Sequence, residues 1–137
     1  MSTCVFCRIV AKEIPATVVH EDEHTLAFMD IGQVNPGHVL VAVKKHAENI
    51  FALDEAQAGA VFRSAAKVAR AIRGAFEPQG LSVYQANGAA AGQTVLHLHI
   101  HLVPRYEGDG MALTWPVKNP PREKLTEYAE KIRAKLG

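Results

Sequence analysis

The apolar positions of this chain follow two rhythms, and the change from one to the other marks its elements. Val18 to Glu21 and Thr25 to Asp30 are short runs rich in apolar and β-branched residues. They are separated by the polar Asp22-Glu23-His24 and predict two strands joined by a tight turn. Pro36-Gly37 is a turn signal, and the unbroken Val39-Leu40-Val41-Ala42-Val43 that follows suits a buried central strand. From Ala58 the spacing becomes three and four: Ala58, Val61, Phe62, Ala65, Val68, Ala69, Ile72 and Phe76 predict one long amphipathic helix. Asp54 is placed to cap it, with Gln57 as the return partner of a capping box, and Pro78 and Gly80 end it. Leu81 to Ala86 reads as a further strand. Arg122 to Leu136 sets Leu125, Tyr128, Ile132 and Leu136 at near-helical intervals among charges, which predicts a C-terminal amphipathic helix. Short turns between most strands imply a largely antiparallel sheet with helices on one side, an α+β fold.

The strand predicted over Leu96 to Val103 is unlike the others. Leu98, Ile100 and Leu102 alternate with His97, His99 and His101, so a core face backs a face of three imidazoles. Same-face neighbours on a strand lie about 6.6 Å apart along its axis, which puts the outer two histidines about 13 Å apart, too far for one metal ion to bind both directly. The row therefore reads as three separate jobs. A Gly-rich stretch, Asn87-Gly88-Ala89-Ala90-Ala91-Gly92-Gln93-Thr94, precedes it. Such loops bring backbone N–H groups close to an anion.

Composition narrows the class. The 137 residues are 48% apolar with a net charge of +1, which fits one domain with a real core and no polyanion-binding surface. Lys44-Lys45-His46, the strongest basic cluster, is too short for a nucleic-acid patch. No run reaches the ~18 apolar residues of a membrane span. Arg8, Lys12 and Glu13 stand where a signal peptide needs its apolar region, so the expected location is the cytoplasm. Both cysteines, Cys4 and Cys7, fall in one C-x-x-C, a spacing that serves redox chemistry or half of a zinc site rather than a fold-stapling disulfide. His20 and His24 flank an acidic turn and read as solvated. His38, at the mouth of the central strand, reads as a hydrogen-bonding residue within the sheet.

The stretch Gly92-Gln93-Thr94-Val95-Leu96-His97-Leu98-His99-Ile100-His101-Leu102-Val103 resembles the signature of the histidine triad (HIT) superfamily. Phe28-Met29-Asp30-Ile31, Pro36-Gly37-His38-Val39-Leu40-Val41, Lys44-Lys45-His46 and Asn87-Gly88 follow the family's order, so the similarity covers about residues 4 to 105 of a single domain. The tail beyond it contains the sole tryptophan, Trp115, which is expected either over the active site or against a partner subunit. The resemblance implies a five-stranded antiparallel sheet with two main helices, paired as a homodimer. It implies hydrolysis or transfer at the α-phosphorus of a nucleotide, with His99 as nucleophile and a nucleotidyl-histidine intermediate. His101, Gln93 and Thr94 would serve the phosphate and leaving group, as would Asn87. Asp30 would take the ribose hydroxyls, and Val5, Phe6, Ile9, Phe28 and Ile31 the base.

Some bacterial members of the family carry zinc, and the matching positions here are Cys4, Cys7, His46 and His97. Four such ligands complete a tetrahedral ion, so one zinc per chain would be structural. Thr94 and Pro104-Arg105 lean toward dinucleoside polyphosphate substrates, whereas Phe28-Met29-Asp30-Ile31 leans toward phosphoramidates. Two other readings stay open on sequence alone: nucleotidyl transfer, and a nucleotide-binding or scaffold protein with incidental catalysis.

Overall fold

The computed structural model describes residues 3–112 and 114–137. A short helix α1 (Val5–Val10) leads into strands β1 (Val18–Glu21), β2 (Thr25–Met29) and β3 (Val39–Val43). The long helix α2 (Glu55–Phe76), strands β4 (Gly80–Tyr84) and β5 (His99–Arg105), and helix α3 (Arg122–Arg133) follow. The five strands form one antiparallel sheet in the order β1-β2-β3-β5-β4.

Strand alternation decides what each face carries. Ala27, Val39, Val41, Val43, Ile100 and Leu102 point to one face and pack with Val61, Ala65, Val68 and Ile72 of α2. Leu26, Phe28, Leu40 and Ala42 point to the other, where Phe6 and Ile9 of α1 cover them. Helices thus lie on both faces, not on one. The six residues of α1 carry too few apolar positions to show a helical period in sequence.

The helix α2 starts as its caps predict: Asp54 accepts from the Gln57 N–H, and the Gln57 side chain returns to the Asp54 N–H. Its buried stripe is shifted from the predicted one. Ala60 and Ser64 are buried, whereas Ala58 is exposed and Phe62 and Phe76 are 60% and 44% exposed. Phe76 nevertheless has a task, because its ring lies over Gly37. A Cβ there would stand 2.9 Å from the ring, and the Gly37 φ of +99° is one that L residues avoid.

The histidine strand starts at His99, three residues later than the predicted Leu96, and runs on through Pro104 to Arg105. Pairing with β3 reaches only from Ala42↔His99 to Val39↔Leu102. His97 and Leu98 lie past the end of that ladder, in an irregular segment held by the Leu98 N–H to the Ala47 carbonyl. Pro104 lies beyond its other end, where only β4 remains as neighbour, so the missing N–H breaks no bond to β3. Likewise β4 spans Gly80–Tyr84 rather than reaching Ala86.

The C-terminal helix forms over Arg122–Arg133 and leaves its apolar stripe in solvent, with Leu125, Tyr128 and Ile132 all more than two-fifths exposed. Trp115 is 80% exposed and does not cover the histidines.

Candidate active site and metal centre

Antiparallel register puts His99 opposite Ala42 and His101 opposite Leu40, so both imidazoles emerge on the α1 face of the sheet. They border a cavity of about 690 Å³. Val5, Phe6, Ile9, Phe28, Asp30, Ile31 and Thr94, all expected from sequence, line it together with Leu40 and Val95. Phe6 is the hinge of this wall. Its ring meets Phe28 edge-on at 5.3 Å and reaches both His97 (5.9 Å) and His99 (4.9 Å).

Asn87 and Gln93 do not border the cavity. Gln93 is buried and its amide is fully engaged: Oε1 accepts from the Gly88 N–H, and Nε2 donates to the Glu48 and Val95 carbonyls. Asn87 accepts from the Ile50 N–H and donates to Gln85. Both side chains clamp the loops that carry Thr94 and His97. In this structure both amides are directed to loop backbone and to Gln85, and they anchor those loops.

The hydrogen bonds fix each ring's tautomer, because a carbonyl only accepts and an N–H only donates. His99 donates Nδ1–H to the His97 carbonyl at 2.7 Å, which leaves the Nε2 lone pair directed away from the backbone. His38 accepts from the Val34 N–H at Nδ1, so its proton resides on Nε2, 2.9 Å from His101 Nδ1. That bond occupies the His101 Nδ1 lone pair and puts the His101 proton on Nε2. Asp30 keeps Oδ1 on the Gly32 N–H and brings Oδ2 to 3.3 Å from His38 and 3.8 Å from His101.

Burial holds His38, His99 and His101 below the ordinary imidazole value, and Asp30 opposes the effect only in part. His101 is pushed down to about 4, by burial first and then by the neighbouring His99 and His38. At neutral pH the row is uncharged: a lone pair at His99, a donor at His101.

His38 is the site residue that sequence reasoning missed. The available signal was its parity with Leu40 and Ala42, which places it on the histidine face rather than in the core. Tyr84 was missed too; it pairs with His101 across the ladder, and its ring stands 5.7 Å away. His20, in β1, lies beside Asp22, and His24, on the β1–β2 turn, lies beside Glu23; both are outside the site.

At the start of the row, Cys4, Cys7, His46 and His97 bring four ligand atoms together. Sulfur and nitrogen lie 3.4 Å apart for Cys4 and His97, 3.4 Å for Cys7 and His97 and 3.3 Å for Cys7 and His46. The two Nδ1 atoms are 3.2 Å apart. Bond lengths of roughly 2.3 Å to sulfur and 2.0 Å to nitrogen at tetrahedral angles require edges of about 3.3 Å between nitrogens and about 3.5 Å between sulfur and nitrogen. The donor set fits. His97, fully buried, also donates Nε2–H to the Val43 carbonyl at 2.6 Å, which fixes the tautomer with Nδ1 free to ligate.

The model of the HIT domain matches residues 11–108, most of the chain. This chain belongs to the HIT family. A HIT family protein from Bacillus subtilis has a crystal structure that superposes with a TM-score of 0.94, at 43% identity over 99% of each chain. The adenosine 5'-monophosphoramidase hnt1 of Schizosaccharomyces pombe is 33% identical over 98% of each chain. A zinc-bound histidine triad family protein from Mycobacterium smegmatis is 32% identical, with a TM-score of 0.76 over 97% of this chain and 98% of that one. The five-stranded antiparallel sheet is the HIT fold, as the sequence resemblance implied.

Proposed function

We propose that this HIT protein hydrolyses nucleotides at the α-phosphorus, with nucleoside phosphoramidates as substrates and a nucleotidyl-His99 intermediate. The observation that carries the reading is the His99 tautomer: Nδ1–H is committed to the His97 carbonyl, so the opposite lone pair belongs to a fixed, neutral nucleophile at the cavity edge. Resemblance to the S. pombe phosphoramidase favours an amine leaving group over a second nucleotide.

The steps follow from the geometry. The base enters between Phe6, Ile9 and Phe28, and the ribose hydroxyls face Asp30. His99 Nε2 forms a bond to phosphorus as the bond to the amine breaks, and the amine leaves with a proton drawn from solvent, which the water of the second step gives back. His101 Nε2–H donates to a phosphate oxygen as charge develops there. Water then attacks phosphorus, releases the nucleoside monophosphate and returns His99 to its neutral form. Thr94 adds a hydroxyl at the rim; Gln93 and Asn87 hold the loop in place.

Cys4, Cys7, His46 and His97 would hold one structural zinc, which ties α1 and so Phe6 to the base of β5. Metal analysis of protein purified without chelator should give about one zinc per chain; well under half rejects the site. A homodimer accounts for the exposed apolar stripe of α3, and sedimentation at micromolar concentration should give twice the chain mass.

The central test is rapid quenching with an adenosine phosphoramidate followed by mass spectrometry. An adenylyl adduct on His99 is expected, absent from His99→Ala. Turnover with the adduct on another residue removes the assignment.

A further inference from the structure

We propose that Gln33 is a positioning residue of the active site: its side-chain amide fastens the β2–β3 loop so that the Val34 N–H caps His38 Nδ1 and His38 faces His101 as a donor. In its kinetic part the inference rests on the hydrolase reading above. Gln33 itself does not border the nucleotide cavity, so it acts through His38.

Gln33 is an exposed residue, yet every hydrogen-bonding position of its amide is taken. Nε2 donates to the Asp30 carbonyl and, at 2.7 Å, to the His38 carbonyl. Oε1 accepts from the Gly37 N–H at 2.9 Å and from the His38 N–H at 3.0 Å. Two donors and two lone pairs are all that an amide offers. All of them go to backbone, and they tie the start of one loop, at Asp30, to its end, at Gly37 and His38. A long side chain in solvent gives up rotamer freedom to be held in this way, so the four bonds mark a fastening rather than a solvated surface residue.

What the fastening holds is the next peptide group. Its N–H belongs to Val34 and reaches His38 Nδ1 at 3.2 Å. Tying the Gln33 side chain to Asp30 and His38 ties its own backbone as well, and so the direction of that N–H. A lone pair that already accepts a backbone N–H is a poor place for a second proton. His38 therefore stays neutral, with Nε2–H turned to His101 Nδ1 at 2.9 Å. The ionisable groups facing His38 are Asp30, just past β2, with Oδ2 at 3.3 Å, and the His101 ring of β5. Asp30 favours a charged His38, and burial opposes it. The Val34 N–H opposes it too, and of these influences it is the one that depends on how the loop is held.

The test follows the imidazole nitrogens of the full-length protein by NMR from about pH 8 to about pH 5, beside the acid limb of kcat/KM for an adenosine phosphoramidate, which reports groups of the free enzyme. In the wild type at pH 8, His38 should carry its proton on Nε2 alone. In Gln33→Leu, His38 should take up a second proton about one pH unit higher, the worth of one lost backbone hydrogen bond, and the acid limb should move up with it. KM at pH 8 should stay within about twofold, since Asp30 keeps its bonds to the Gly32 N–H and the His38 carbonyl. Asn35→Ala cuts a different tie of the same loop, from Asn35 Nδ2 to the Pro104 carbonyl, and should leave both readings as in the wild type. Should Gln33→Leu not fold, Val34→Pro deletes the N–H at its source and should give the same upward shift. A proton on His38 Nδ1 in the wild type, or an unshifted His38 in the variant, overturns the assignment. So does an equal shift in Asn35→Ala, which makes the effect a general loosening of the loop. A shifted His38 with an unmoved acid limb overturns the part of Gln33 in the reaction. Wild-type protein that does not turn over the phosphoramidate overturns the hydrolase reading, whereas the ring protons decide the Gln33 assignment without turnover.

Discussion

Two groups of ligand-type side chains flank His99, and they differ in where the protons lie. At one end Cys4, Cys7, His46 and His97 meet at 3.2 to 3.4 Å; at the other Asp30, His38 and His101 meet at 2.9 to 3.8 Å. Distance alone would make both metal sites. The far nitrogen of each ring separates them. His97 gives its Nε2 proton to the Val43 carbonyl and so turns a lone pair toward the sulfurs. His38 takes a proton from the Val34 N–H at Nδ1, so its Nε2 carries hydrogen and faces its neighbours as a donor. The first group has the donor set of a cation site, and in the second His38 sets the proton of His101. One backbone group per ring, a carbonyl in one case and an N–H in the other, decides between them.

The comparison is broken most sharply at the residue between the groups. His99→Ala should lower kcat by about a thousandfold or more, since a nucleophile has no substitute nearby, while zinc content stays at the wild-type level. A loss of zinc in this variant would mean that the two groups are not independent. Next, His38→Ala frees the His101 tautomer and should cost roughly ten- to a hundredfold in kcat, with KM nearly constant and zinc retained. If added zinc inhibits the wild type through His38, this reading fails and the second group is a metal site after all.

Smaller effects are expected at the first group. Cys4→Ser with Cys7→Ser should abolish zinc binding, lower Tm and raise KM several-fold through Phe6, yet the His99 adduct should still form. Loss of adduct formation would give the metal a part in the chemistry.

The last expectation concerns pH. His38 and His101 work as neutral rings and are held below the ordinary imidazole value of ~6.5, His101 at about 4. Activity should be level from pH 8 to about 6.5 and fall only on the acid side. The sign for stability is the same: below about 6.5 the unfolded chain binds protons that the folded rings refuse, so Tm should drop as pH falls toward about 4. A Tm that rises over that window contradicts buried neutral rings.

Much of this was legible along the chain. The central strand Val39–Val43 and the Asp54–Gln57 capping box are local patterns of side chains on a regular backbone, and they appear where the sequence puts them. The cavity-lining set from Val5 to Ile31 was legible through the family resemblance. The loop-closing bonds of Gln93 were not, because the carbonyls of Glu48 and Val95 that its amide meets are brought to it only by folding. The start of β5 was misplaced for a related reason. Alternation continues through His97, but the partner strand does not.

The sequence by itself determined which residue types are present at a two-residue period, and therefore that His99 and His101 share a face backed by a core of Leu98, Ile100 and Leu102. Only the tertiary structure decided what each imidazole is for. A ring's chemistry depends on which nitrogen holds the proton, and that is set by Val43, Val34 and the His97 carbonyl, groups brought within hydrogen-bond reach by folding and carrying no mark in the side-chain sequence.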